Sequence, residues 1–376
     1  MMSAAGNQRP VLIMAGGTGG HVFPALAVAD ELSTRGVPVS WLGTRRGLEA
    51  RVVPAAGYAL SSIRVTGLRG KGLLRLLLAP FMLAFAVLQS LVVFVRLRPL
   101  AVLGMGGFTA GPGGLVAWLL RCPLVIHEQN SVAGLTNRLL APLARHVLEA
   151  FPGSMPATRH AVHTGNPVRS TIAAMPEPAQ RLRTHSGALR LLVIGGSLGA
   201  QVLNRVVPQA VAGLPQEARP QIHHQTGPAD ETGVRECYRE LDGTARVEAF
   251  IEDMAAAYAW ADLVVCRAGA LTVAELSAAG VASILVPFPY ASDDHQTGNA
   301  RYLANAGAAV LVPQPELTVE RLTELLAGYC ADRHTLLEMA ARARGLARPD
   351  AARQVAGFCL AAAGQAPLPD AAGGAA

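Results

Sequence analysis

The sequence predicts an α/β protein of two domains, each built on a parallel sheet. Short apolar runs alternate with helical stretches along the whole chain, the pattern of repeated strand–helix units. Each half opens on an apolar strand, a glycine-rich turn and a helix: VLIMAGGTGGHVFPALAVADEL in the first, LLVIGGSLGAQVLNRVV in the second. The offset from Gly17 to Gly196 is 179 residues, about the size of one domain.

In the first half, strands are expected at Val11–Ala15, Val39–Leu42, Ser61–Val65, Leu100–Leu103, Leu124–His127 and His146–Phe151. In the second half they are expected at Leu191–Ile194, Gln221–His224, Arg246–Phe250, Leu263–Cys266, Ser283–Pro287 and Ala309–Val312. The seam falls near His163–Thr171, where Gly165, Asn166 and Pro167 punctuate the end of a strand. That gives an N-terminal domain over 1–168 and a C-terminal domain over 169–345. A helix follows over 346–363, and the low-complexity segment 364–376 reads as a disordered tail.

The chain has 376 residues, 51% of them hydrophobic and only 15% charged, which excludes a disordered chain and points to membrane contact or unusually apolar cores. Its net charge of +6 is uneven. Between Glu49 and Glu128 there is no acidic residue, while Arg51, Arg64, Arg69, Lys71, Arg75, Arg96, Arg98 and Arg121 make that stretch +8 and leave the remainder at −2. One surface therefore carries the excess, and no nucleic-acid partner is expected. The five cysteines form no CxxC pair, so neither a disulfide framework nor a zinc site is expected, and a reducing cytoplasm fits. The N-terminus lacks the apolar core of a secretory signal.

Leu76–Val95 is twenty residues without a charge, long enough to cross a bilayer. The strands expected before and after it belong to one sheet, which a single crossing would split, and Pro80 interrupts the run. The segment is therefore read as a helical region lying in or against the membrane interface, its arginines and Lys71 at the lipid headgroups. The alternative is a helix buried wholly on the sheet.

A glycine turn between strand and helix lets backbone N–H groups approach a phosphate, to which the helix N-terminus adds its partial positive charge. Neither turn is a dinucleotide fingerprint: the third glycine position, counted from Gly17, is Val22, and the second strand ends in Gly43 and Thr44 without a ribose-binding acid. There is no Walker A motif. Taken singly, either turn is read equally well as using its glycines for conformation alone or for a ligand; two at matching places point to ligands. Three further segments leave the carboxyl ends of apolar strands, where open α/β sheets place ligands. They are GMGGFTAGPGG (Gly104–Gly114), the polar burst His127, Glu128, Gln129, Asn130, and DLVVCRAGALTVAEL. In the last, Thr272 and Glu275 fit a T-x-x-E capping box, and a carboxylate there equally suits two ribose hydroxyls.

These blocks carry a resemblance. GGTGGHVFPALAVA, HEQNSVAGLTN, FPG, GNPVR, IGGSLGA, HQTG, AYAWADLVVCRAGALTVAEL and DDHQTGNA resemble, in order and spacing, the MurG family of peptidoglycan glycosyltransferases, glycosyltransferase family 28. The resemblance runs from about Val11 to Leu360. It implies a GT-B fold, two Rossmann-like domains facing across a cleft with the last helix returning to the N-terminal domain. It also implies a peripheral enzyme on the cytoplasmic face of the bacterial inner membrane. That enzyme moves N-acetylglucosamine from UDP-GlcNAc, with inversion, to the C4 hydroxyl of the undecaprenyl-diphosphate-linked muramoyl pentapeptide (lipid I), giving lipid II and UDP.

Carried over by position, the family's donor contacts fall on Thr18, Gly19, Gly20 and Asn130, with Arg169 and Ser197 at the diphosphate and the Ile251 backbone on the uracil. Ala270, Leu271, Thr272, Val273, Ala274 and Glu275 receive phosphate at their helix N-terminus and ribose at Glu275, and Gln296 reads sugar hydroxyls. The segment Pro289–Asp294 departs from the family pattern. A base must take the acceptor proton. His21 is the first candidate, since an unperturbed imidazole pKa of about 6.5 suits the task. Its other readings are a phosphate hydrogen bond or a helix cap. Glu128 is the second candidate, for acceptor binding or base work, with His127 to orient it. There is no DxD motif, and Asp293 with Asp294 makes no metal site, so no tightly bound metal and no cofactor are expected. Anionic inner-leaflet lipids and proteins of wall synthesis are the further partners implied. The competing functions are a related glycolipid synthase using UDP-galactose and diacylglycerol, and a non-catalytic nucleotide-sugar-binding subunit at the membrane.

Overall fold

The computed structural model describes residues 9–65, 73–183, 185, 187–196, 198–241 and 245–365. It divides into two compact units: one runs to Arg169 and takes in the chain again from Asp350, the other is Ser170–Pro349.

The first unit holds seven strands: β1 (Val11–Met14), β2 (Val39–Gly43), β3 (Ala59–Ser62), β4 (Ala101–Gly104), β5 (Leu124–Glu128), β6 (His146–Glu149) and β7 (Val162–His163). They lie parallel in the order β3-β2-β1-β4-β5-β6-β7. The second unit holds β8 (Arg190–Ile194), β9 (Gln221–Gln225), β10 (Ala245–Glu248), β11 (Leu263–Cys266), β12 (Ala282–Leu285) and β13 (Ala309–Leu311). Its order, β10-β9-β8-β11-β12-β13, is again all parallel. Strands β1, β4, β5, β11 and β12 are buried at every position, because helices cover both faces. All twelve expected strands are present. The third starts two residues earlier than read, since it pairs Ala59–Ser62 with Ser40–Gly43 of β2.

In each sheet the strand order reverses beside the first strand of the unit, between β1 and β4 and between β8 and β11. These are the points at which an open parallel sheet leaves a crevice at its carboxyl edge. The glycine turns after β1 and β8 emerge there.

The helix Ala351–Ala362 packs on the helix Gly19–Thr34 and on β4, β5 and β6 of the first unit, burying Val355, Ala356, Cys359 and Leu360. Of the segment 364–376 read as a tail, residues 366–376 lie outside the described residues.

The apolar segment forms the helix Leu73–Leu97, which packs against the helix Ala110–Leu119. Ala86, Ser90 and Phe94, spaced by four, are buried, and Ser90 turns its hydroxyl back to the Ala86 carbonyl at 2.8 Å. Phe81, Phe85, Leu88, Val92 and Val95 form the opposite stripe and are exposed. Trp118, Leu119 and Leu120 end the neighbouring helix exposed as well. The alternative of a wholly buried helix is thus excluded. Strands β3 and β4, which flank the segment, share one sheet, as the sequence required. Arg69 and Lys71 lie outside the described residues.

Candidate active site

The first glycine turn is held by a residue the sequence did not single out. Glu49 is fully buried, and its carboxylate accepts hydrogen bonds from Gly17 N–H (3.1 Å), Thr44 N–H (2.9 Å) and the Thr44 hydroxyl (2.7 Å). It ties the turn after β1 to the turn after β2. Gly16 and Gly47 make room for it, since a Cβ at either would run into the Glu49 carboxylate. Gly17 has φ +97°, a conformation only glycine adopts freely. Thr18 is the exposed N-cap of the helix Gly19–Thr34, so Gly19 and Gly20 lie in the first turn, whose N–H groups have no partner within the helix.

His21 follows on the same turn. Its Nδ1 lies 2.8 Å from Gln129 Oε1, on the loop leaving β5. Gly106 and Gly107, at φ +80° and +75° after β4, pass along the flank of the imidazole; a Cβ on Gly106 would sit 3.2 Å from its Cε1. The glycine density after β4 is therefore partly explained by the ring it must clear. The Arg169 guanidinium stacks over Phe23, 5.0 Å from the ring centroid, which sets this residue beside the first helix turn and within the first unit.

The polar burst after β5 divides into two tasks. Glu128 is buried, and its oxygens accept from Asn130 N–H (3.0 Å), the Asn130 amide (3.3 Å), Gly134 N–H (3.0 Å) and the Asn137 amide (2.8 Å). It shapes its own loop, and that loop carries Asn130. The expectation that His127 orients Glu128 is corrected. His127 donates from Nε2 to the Gly165 carbonyl at 2.9 Å and meets Gln129 Nε2 at Nδ1, at 3.1 Å. Burial pushes the His127 pKa down to about 4, so the ring is neutral.

In the second unit the turn after β8 rests on the end of β9. Gly196 N–H donates to Gln225 Oε1 at 3.1 Å, and Gly199, at φ +80°, packs against the Thr226 carbonyl, where a side chain would not fit. The HQTG block thus supports the second glycine turn. Ser197 lies outside the described residues. Ile251 is buried in the loop after β10.

After β11, Gly269 is the N-cap of the helix Ala270–Ala279. The capping-box reading of Thr272 and Glu275 is corrected: both lie inside the helix, because Gly269 already provides the extended backbone a cap requires. Ala270, Leu271 and Thr272 form the first turn. Val273 and Ala274 continue the helix, and Glu275 is buried, accepting from the Tyr258 hydroxyl at 3.1 Å. Arg267, which the sequence reading passed over, donates to the carbonyls of Val286 and Pro287 (both 3.2 Å) and to Gln314 Oε1 (2.7 Å), and stacks over Phe288. It holds the loop after β12. Gln296 meets the same loop: its Oε1 accepts Phe288 N–H at 2.9 Å, which turns the amide nitrogen away from that contact.

Among the described residues no three His, Cys, Asp or Glu side chains form a group that could hold a metal ion.

In each unit a parallel sheet carries glycine turns and helix N-termini at its carboxyl edge. That arrangement defines a two-domain α/β protein suited to phosphate-bearing ligands. Residues 11–149 match the glycosyltransferase family 28 N-terminal domain and residues 190–355 the family's C-terminal domain, so the chain belongs to glycosyltransferase family 28. It is 60% identical over 351 residues to the UDP-N-acetylglucosamine–N-acetylmuramyl-(pentapeptide) pyrophosphoryl-undecaprenol N-acetylglucosamine transferase of Alkalilimnicola ehrlichii, spanning 93% of this chain and 98% of the relative. The protein of the same name from Nitrosococcus oceani is 58% identical over 350 residues, again 93% and 98% of the two chains. The crystal structure of Acinetobacter baumannii MurG superposes with a TM-score of 0.80 at 41% identity, over 94% of this chain and 99% of that one. A Neisseria meningitidis UDP-GlcNAc 2-epimerase, at 12% identity and TM-score 0.62, shares the fold.

Proposed function

We propose that this protein transfers N-acetylglucosamine from UDP-GlcNAc to the C4 hydroxyl of the muramoyl sugar of lipid I, with inversion, releasing UDP and lipid II. The likeness of nearly the whole chain to relatives named for this transfer carries the reading. Each unit is assigned a share. In the second, the helix N-terminus at Ala270–Thr272 meets the diphosphate, Glu275 and the Ile251 backbone take the nucleoside, and Gln296 reads the sugar. Ser197 is assigned to the diphosphate by family position alone. In the first, Thr18, Gly19, Gly20, Asn130 and Arg169 contribute on the phosphate side, where positive charge and N–H dipoles stabilise the departing diphosphate.

His21 is the base. It takes the C4 proton as that oxygen forms its bond to the anomeric carbon, while the bond from that carbon to the diphosphate oxygen breaks and its electrons leave with UDP. Glu128, with four donors on its oxygens, is a positioning residue for the loop that carries Asn130.

The exposed stripe Phe81–Val95, with the exposed Trp118–Leu120 of the neighbouring helix, is assigned to the inner leaflet, and the basic residues of the acid-free stretch are assigned to its anionic headgroups by charge. On this reading the enzyme works as a peripheral protein on the cytoplasmic face, where a lipid-linked acceptor is found, beside other proteins of wall synthesis.

UDP release with a soluble lipid I analogue tests the reading, run with UDP-GlcNAc, with its C4 epimer, and with UDP-galactose and diacylglycerol. Release is expected only with UDP-GlcNAc and the lipid I analogue. Release with UDP-galactose and diacylglycerol would establish the glycolipid synthase instead, and donor binding without release would establish an idle subunit.

A further inference from the structure

His21, Gln129, His127 and the Gly165 carbonyl form a directed chain of hydrogen bonds. The Gly165 carbonyl only accepts, so His127 Nε2, 2.9 Å away, carries a proton. The neutral His127 ring then has its lone pair on Nδ1, which accepts from Gln129 Nε2 at 3.1 Å. The second proton of that amide nitrogen goes to the His127 carbonyl at 3.0 Å. Turning the amide over would set its oxygen against that carbonyl and leave the His127 lone pair without a donor, so the orientation is settled by its neighbours. Gln129 Oε1 is thereby aimed at His21 Nδ1, 2.8 Å away, and an amide oxygen can only accept.

We infer that Gln129 is a positioning residue for the transfer: it holds His21 as the Nδ1–H tautomer, so that Nε2 presents a bare lone pair to the acceptor hydroxyl. The inference rests on His21 being the base. When Nε2 takes the C4 proton, the ring becomes an imidazolium that still donates from Nδ1 to Gln129 Oε1. A neutral amide orients the ring without holding it charged, as a carboxylate in that place would. Gln129 is itself 1% exposed and packed on His127, so the chain ends in the backbone at Gly165 and not in solvent.

The test uses the full chain with 15N-labelled histidine, its His21 ring signals identified by their loss in His21→Asn. The wild-type protein is expected to show His21 protonated on Nδ1 in its neutral form. Gln129→Leu should lose that preference and lower kcat by about 100-fold, the low end of what a positioned base supplies, with KM for UDP-GlcNAc within about twofold. Gln129→Glu should recover part of kcat and move the acid limb of its pH profile upward by about one unit, since a carboxylate favours the charged ring. A merely structural role for Gln129 would leave the His21 tautomer unchanged in Gln129→Leu, and a base other than His21 would leave that limb unmoved in Gln129→Glu. A wild-type His21 protonated on Nε2 overturns the inference, as does a Gln129→Leu protein that turns over like wild type. The spectrum of the unmutated protein decides the tautomer even if Gln129→Leu fails to fold. Failure of the wild type to release UDP with the lipid I analogue would overturn the transferase reading separately, leaving the tautomer to be read on its own.

Discussion

The exposed face of the helix Leu73–Leu97 makes a quantitative prediction. Phe81, Leu88 and Val92 are 74%, 59% and 67% exposed. Fully burying such side chains contributes about 1.5–3 kcal/mol each, so burying what is exposed here contributes about 1–2 kcal/mol apiece. Replacing all three with serine should therefore remove about 3–6 kcal/mol of membrane attachment, a drop of roughly 100- to 10,000-fold in partition coefficient. Because the stripe opposite Ala86, Ser90 and Phe94 touches little of the protein, folding stability should change by no more than a surface substitution usually causes, about 0.5 kcal/mol per site, and Tm only slightly. Co-sedimentation with vesicles of inner-membrane lipid composition measures the partition, and calorimetry measures Tm. A triple variant that sediments like wild type would refute the membrane assignment of this face. A large fall in Tm would instead mean that the stripe is packed against protein.

Three other outcomes follow from the buried polar groups. Glu49→Gln removes one acceptor oxygen from under the first glycine turn and leaves a buried donor facing a donor, at a cost of about 1–3 kcal/mol; UDP-GlcNAc affinity by titration calorimetry should fall about tenfold, and unchanged affinity would free the turn from Glu49. Burial lowers the His127 pKa to about 4 and that of His224 to about 3, whereas the unfolded chain takes up protons at these rings near 6.5. The unfolded state binds more protons below that pH, so stability is complete above it and is lost on acidification, by about 2 kcal/mol per ring at pH 5. Melting followed from pH 7.5 to 5 should show this loss, with a shallower slope in His224→Asn; a flat profile would contradict the neutral buried rings. Of the five cysteines, Cys237 is exposed, while Cys266 and Cys359 are buried with thiol pKa values raised by that burial, the latter to about 12. A thiol reagent should therefore label Cys237 first and these two only on unfolding; prompt labelling of Cys266 would argue against the described core.

The strands and their order along the chain were legible because helices cover both faces of each sheet, so β1 (VLIM) or β11 (LVVC) reads as one unbroken apolar run. The glycine turns were legible because positive φ and close approach demand glycine at Gly17 and Gly199, where no other residue substitutes cheaply. What could not be read depends on partners far apart in the chain. Glu49 looks like an ordinary acid at a helix start, and only the fold brings it to Gly17. Gln129 stood in view within the polar burst, yet its contact with His21, more than a hundred residues earlier, exists only in the folded chain. The capping box failed for a local reason: T-x-x-E was present, but Gly269 lay three residues ahead with the backbone geometry of a cap. His127 was paired with its sequence neighbour Glu128, although successive residues of a strand point to opposite faces and their side chains cannot meet easily.

Transfer by a single displacement, with His21 as base, has its sharpest test in proton NMR of the product formed from α-configured UDP-GlcNAc and a soluble lipid I analogue. One β-linked N-acetylglucosamine on the muramoyl C4 oxygen is expected for each UDP released. An α-linked product would contradict the single displacement, and UDP released without a disaccharide would contradict the transfer itself.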